Sequence, residues 1–144
     1  MKQYDLNRFL KAQETDYETA LAEIRSGRKR SHWMWYIFPQ LKGLGMSHMS
    51  DYYGLDGIEE ARAYIQDPVL AERLHRISAA LLDLTETDPG RIMGYPDDRK
   101  LLSCMTLFSL VSDDPVYPQV LDRLYKGRRD ARTLKMAGTE RKPA

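Results

Sequence analysis

Apolar residues recur along most of the chain at steps of three and four, the period of helices buried on one side. Asp5 is placed to cap a first helix in which Leu6, Phe9, Leu10 and Gln13 share a face. Asp16 reads as the cap of a second, with Tyr17, Ala20, Leu21 and Ile24 turned inward and Gly27 at the C′ position. The run WMWYIF at 33–38 is too short and too uniformly apolar to decide between helix and strand, and Pro39 ends it. A loop carrying Gly43, Gly45 and Ser47 follows and continues through DYYG at 51–54.

Asp56 then caps a helix with Ile58, Ala61 and Ile65 in line, and Asp67 followed by Pro68 opens the most regular helix of the chain. There Leu70, Leu74, Ile77, Leu81 and Leu84 face inward, while Glu72, Arg73, Arg76 and Asp83 face out. A short turn or helix spans Pro89 to Met93. Asp97 is placed to cap a helix over 98–112 that is apolar on most sides and therefore buried. Val116, Val120, Leu121 and Leu124 mark one more helix, closed by Gly127, and Asp130 caps a last short one around Leu134. Without alternating runs or Asn-Gly hairpins, the expectation is an all-α domain over 1–138, with six to eight helices and no substantial sheet. Residues 139–144 read as a flexible tail.

Composition narrows the classes. At 144 residues the chain fits one domain and can bury a sizeable core without disulfides or metals. Its 22 basic and 21 acidic side chains leave a net charge of +1, which makes a nucleic-acid coat the weakest reading. The single cysteine forbids an internal disulfide and fits a reducing compartment. Three histidines with no i, i+4 pair offer little for a metal, and no cofactor is implied. The first twenty residues lack the apolar core of a secretory signal, and no stretch has the roughly 18 apolar residues of a membrane span, so a cytoplasmic protein is expected.

Two segments stand out. In GRKRSHWMWYIFPQLKGLGMS, at 27–47, both tryptophans follow a basic run and a histidine. Helical spacing puts His32, Trp35 and Tyr36 on one face and Trp33 with Ile37 on another. Lys29, Arg30 and Gln40 could hold an anionic ligand, Trp33 or Trp35 could stack a planar one, and Ser47 could help orient it. These aromatics are also what a core requires. Like charge and burial would keep His32 neutral, able to move a proton near pH 7.

In PDDRKLLSCMTLF, at 96–108, Arg99, Ser103 and Thr106 fall on one side of the helix, flanked by Lys100. Two readings compete. In one, Ser103 and Thr106 bond back to carbonyls one turn earlier and the two aspartates cap. In the other, the stripe faces a pocket whose second wall is 29–47, and Asp98 pairs with Lys100, Arg30 or His32. Cys104 lies between core positions with no base beside it. The basic cluster Lys126, Arg128, Arg129, Arg132 and Lys135 is explained by the helix dipole and solvation.

Together these segments resemble the bacterial family known as domain of unknown function 1810, some of whose members carry the label calpastatin, an inherited misnomer. The resemblance extends from DLNRFLKAQ at 5–13 through YETALAEIRSG at 17–27 to GRRDARTL at 127–134. It implies a helical domain and supplies no activity. Where the family has two serines before Met-Thr-Leu-Phe, this chain has Ser103 and Cys104. A looser similarity, in helical polar-pocket organisation, is to the NADAR family of ADP-ribose-related N-glycosidases.

The expected function is a pocket between 29–47 and 97–106 for an anionic or nucleotide-like small molecule. Its ligand-binding residues are Lys29, Arg30, Trp33, Trp35, Gln40, Ser47, Lys100, Ser103 and Thr106. If the pocket is hydrolytic, His32 and Asp98 are the acid–base pair. The alternative is an interaction or self-association module, which requires several of Trp33, Trp35, Tyr36, Tyr52 and Tyr53 to form an exposed patch.

Overall fold

A computed structural model describes residues 3–138; the expected tail at 139–144 lies outside them. Nine helices occur among the described residues: α1 (Asn7–Arg25), α2 (Met34–Ile37), α3 (His48–Tyr53), α4 (Gly57–Gln66), α5 (Pro68–Leu82), α6 (Pro89–Met93), α7 (Asp97–Val111), α8 (Val116–Tyr125) and α9 (Ala131–Met136). The fold is all-α. None of these helices is long and apolar enough to cross a membrane.

α7 is the central element, packed against α4, α6, α8 and α9, while α5 joins α1, α4 and α8. Leu101, Cys104, Met105, Leu107 and Phe108 of α7 are completely buried, as expected for a helix apolar on most sides. A file of rings crosses the core. Phe9 of α1 meets Tyr64 of α4 edge-on at 5.0 Å, Tyr64 meets Phe108 of α7 at 5.3 Å, and Phe108 meets Tyr117 of α8 at 5.9 Å. The Tyr64 hydroxyl accepts from Gln13 Nε2 at 3.0 Å, whereas the Tyr117 hydroxyl is buried without a partner among the described residues. Tyr117→Phe removes that unsatisfied group. It is expected to leave stability unchanged or raise it by about 1 kcal/mol, read from the thermal midpoint; a loss above that would show an unseen partner.

Two expected caps are in place, Asp67 Oδ1 accepting from Val69 and Leu70 and Asp130 Oδ2 from Thr133; Asp88, which periodicity did not mark, also caps α6 by accepting from Gly90. Three boundaries differ. The first two expected helices are one, because Asp16 does not cap; its carboxylate accepts from the Tyr36 hydroxyl, a partner outside the helix. The expected loop at 48–53 is α3, started by the Ser47 hydroxyl accepting from Ser50 N. Tyr53 anchors that short helix between Phe9 and Tyr36, with ring centroids at 5.9 and 5.0 Å. Finally, α7 begins at Asp97 with Pro96 as its cap, so Asp97 is free for an ion pair described below.

One parallel bridge, Leu41 to Leu55, ties the two ends of the 41–55 loop. Lys42 N donates to Leu55 O, and Leu55 N to Gln40 O, at 2.8 and 2.9 Å. The approach requires glycine at 54, where a β-carbon would stand 2.6 Å from Lys42 Cα. Arg8 holds the same corner. Its guanidinium forms a two-point contact with the buried Glu60 at 2.9 and 3.2 Å and donates to the carbonyls of Tyr52 and Gly54.

Candidate functional site

A cleft of about 1000 Å³ lies between the N-terminal half of α7, the α8–α9 junction and the loop after α2. Gln40, Ser103, Leu124 and Tyr125 form its buried floor. Five cationic side chains line it: Arg99, Lys100, Lys126, Arg128 and Arg132. Three carboxylates face them, those of Asp88, Asp98 and Asp130.

Hydrogen bonds decide which of these groups are available. Asp130 Oδ2 receives Ser103 Oγ at 2.9 Å, Thr133 N at 3.1 Å and the Thr133 hydroxyl, while Asp130 N donates to Thr106 Oγ1 at 2.9 Å. The polar stripe of α7 therefore seats the start of α9. Ser103 also makes the back-bond to Arg99 O expected for a helical serine. Asp98 Oδ1 accepts from Arg99 N, and the Asp98 carbonyl accepts from the Tyr125 hydroxyl, at 2.9 and 2.5 Å. The Arg132 guanidinium lies 3.5 Å from the carbonyls of Gly43 and Leu44, joining α9 to the far wall. Tyr95 is 75% exposed, with the Arg99 guanidinium 5.3 Å above its ring.

Behind the cleft, Asp97 ties two lysines: Lys29 Nζ at 2.9 Å and Lys100 Nζ at 3.4 Å. Lys100 Nζ lies over the Trp35 ring, 3.5 Å from its centroid, and Lys29 over Trp33 at 4.8 Å. Glu23 of α1 closes the neighbouring turn, accepting from Arg30 N, Ser31 N, the Ser31 hydroxyl and Trp33 Nε1 at 2.5–2.9 Å. Burial raises the pKa of this carboxyl, but the Ser31 hydroxyl, the Arg30 N–H, the Trp33 indole and the Ser31 N–H outweigh it and hold it at about 2.

With this geometry in view, relatives can be compared. Residues 3–137 match the family described as protein of unknown function (DUF1810). The chain belongs to that family. The crystal structure of the conserved hypothetical protein Rv1873 from Mycobacterium tuberculosis is similar to this DUF1810 chain, with 41% identity and a TM-score of 0.91. The match covers 94% of this chain and 97% of that one. No functionally curated protein matches.

The two marked DUF1810 segments contribute unequally to the cleft. From 96–108, Asp98, Lys100 and Ser103 line it, and Thr106 lies fully buried beneath. From 27–47, only Gln40 among the expected ligand residues does so. Trp33 is 1% exposed and has its ring and its N–H engaged within the core, so it has no face for a ligand. Lys29 is held in its ion pair, and Trp35 is covered by Lys100. Arg30, His32 and Ser47 are exposed outside the cleft, Ser47 serving as the α3 cap. His32 is thus not brought to the hollow that Asp98 lines. Asp98 makes no ion pair with Lys100, Arg30 or His32, because Lys100 reaches Asp97, three residues before it on the helix.

Of the five aromatics that an interaction patch requires, only Tyr52 is exposed. The two basic clusters line different hollows, Arg28 and Lys29 facing a groove of about 450 Å³ beside α6. The sequence reading missed the third wall: Lys126, Arg128 and Arg132 had a sufficient local explanation in the helix dipole. Cys104 is inert, since burial pushes its thiol pKa well up.

Proposed function

We propose that the cleft binds a small anionic, nucleotide-like molecule. The observation that supports this is the charge of its lining. Of the three carboxylates, Asp130 is consumed by Ser103 and Thr133, whereas Arg99, Lys126, Arg128 and Arg132 form no ion pair among the described residues. Arginine forks at the rim of a concave site suit phosphate or carboxylate oxygens. The exposed Tyr95 ring offers a planar group a surface beside them. Of the His32–Asp98 pair only Asp98 lines the cleft, so a hydrolytic step on the bound molecule would use Asp98 and water, with Oδ2 as the oxygen carrying no hydrogen bond among the described residues.

Trp35 supplies the signal for a test. An anion that draws Lys100 off the indole should change its fluorescence. Titration with AMP, ADP-ribose and ribose 5-phosphate is expected to give saturable, salt-weakened binding. Arg128→Ala and Arg132→Ala should each reduce the affinity about tenfold, the value of a charge-assisted hydrogen bond. The reading fails if no compound binds by fluorescence or calorimetry at low salt.

A further inference from the structure

The two buried glutamines of this chain are used differently. Gln13 is saturated: Nε2 donates to Tyr36 O and Tyr64 Oη at 2.8 and 3.0 Å, and Oε1 receives Arg73 Nη1 at 3.4 Å. Gln40 is only 8% exposed and lies on the cleft floor, yet its side-chain amide has no hydrogen-bond partner among the described residues. Ser50 Oγ is buried and also unpartnered. Both groups converge on Gly45, where a β-carbon would stand 2.3 Å from Ser50 Oγ and 3.7 Å from Gln40 Nε2. Of the two, only Gln40 lines the hollow, Ser50 lying behind Gly45; a nearly buried amide left without a protein partner there calls for a partner that is not protein.

The backbone holds Gln40 in place. Gln40 O accepts from Leu55 N at 2.9 Å, on the bridge that Arg8 braces, so the main chain at 40 is fixed while the side-chain amide stays open. An amide presents a donor and an acceptor side by side. Its complement is a neutral edge with the same pair reversed, as on an aminopurine ring or a carboxamide. At the exposed rim, Arg132 leans on the carbonyls of Gly43 and Leu44, a few residues along the loop from Gln40.

We infer that Gln40 is the specificity residue of the cleft, reading a neutral donor–acceptor edge on the floor while the rim arginines hold the anionic end of the same molecule. This rests on the anion-binding reading above. The ligand class is a phosphorylated or carboxylated compound bearing an aminopurine-type or carboxamide edge.

Calorimetry with three probes separates the two claims. Ribose 5-phosphate carries the anion without an edge, AMP adds the aminopurine, and nicotinamide mononucleotide adds the carboxamide. For the wild type, AMP or the nicotinamide compound is expected to bind at least about tenfold more tightly than ribose 5-phosphate, and the tighter one identifies the edge. Gln40→Leu should abolish that preference, read as the ratio of the affinities for the probes within the variant. Gln40→Met, of matching length, takes its place should the leucine variant not fold. Equal binding of all three probes, or a preference that survives in the variant, overturns the inference and leaves anion binding standing. Failure of all three to bind overturns the anion reading itself.

Discussion

Arg8→Ala is expected to destabilise the protein by about 3–5 kcal/mol, the cost of leaving a buried charge without its partner. Glu60 is 3% exposed and receives two N–H groups of the Arg8 guanidinium together with the Asp56 amide. Without Arg8 its carboxylate stays dry with one donor left, and the carbonyls of Tyr52 and Gly54 lose theirs. Arg8→Met with Glu60→Leu removes both charges and should recover a substantial part of the loss, because the penalty comes from the stranded ion more than from the broken contact. Urea unfolding of the wild type and both variants measures this. The Leu55 and Lys42 amides, which form the neighbouring bridge, should exchange hydrogen faster in Arg8→Ala. A loss below 1 kcal/mol would mean that the pair is not the clamp of this corner.

That clamp shows why some of the architecture was readable in sequence and the site largely was not. Helix faces follow from spacing alone, so the inward row of α5 and the nearly all-round burial of α7 were legible, as were caps such as Asp67 and Asp130, which act within three residues. Periodicity is silent about partners far away in the chain. Asp16 has the chemistry of a cap, and only the Tyr36 hydroxyl, twenty residues on, explains why it lies inside α1. Asp97 has the same ambiguity: Lys29 and Lys100 claim it, and Pro96 takes the cap position.

The cleft illustrates the same limit. Gln40, Lys100, Ser103 and Asp98 could be singled out because polar residues in apolar surroundings stand out locally. Lys126, Arg128 and Arg132 could not, because a basic run at a helix end already has a sufficient local explanation. What brings them to the cleft is Asp130, which fastens the start of α9 to Ser103 and Thr106 of α7. Conversely, the density of aromatics at 33–38 marks a core, with Trp33, Tyr36, Ile37 and Phe38 all buried. The most conspicuous stretch of the sequence therefore supports the site from behind, and contributes to it chiefly by delivering Gln40.

Glu23→Gln should cost about 2 kcal/mol at pH 7, and the cost should vanish in acid. The carboxylate fixes the 30–33 turn by accepting four hydrogen bonds, and glutamine can keep the geometry while losing the charge. Its pKa lies at about 2 in the folded chain against 4.5 as the ordinary value. A carboxyl with a depressed folded pKa stabilises fully above the unfolded value, because it is then ionised in both states. As pH falls from about 4.5 towards 2, the unfolded chain takes up the proton first and the advantage drains away; below 2 both states are protonated and none remains. The full shift corresponds to about 3 kcal/mol, reduced to about 2 because the group is partly exposed. Urea unfolding of wild type and variant at pH 7, 4 and 2.5 should show two stability curves that converge as the pH falls. A gap that is constant with pH would assign the loss to packing around Trp33 and not to the Glu23 charge.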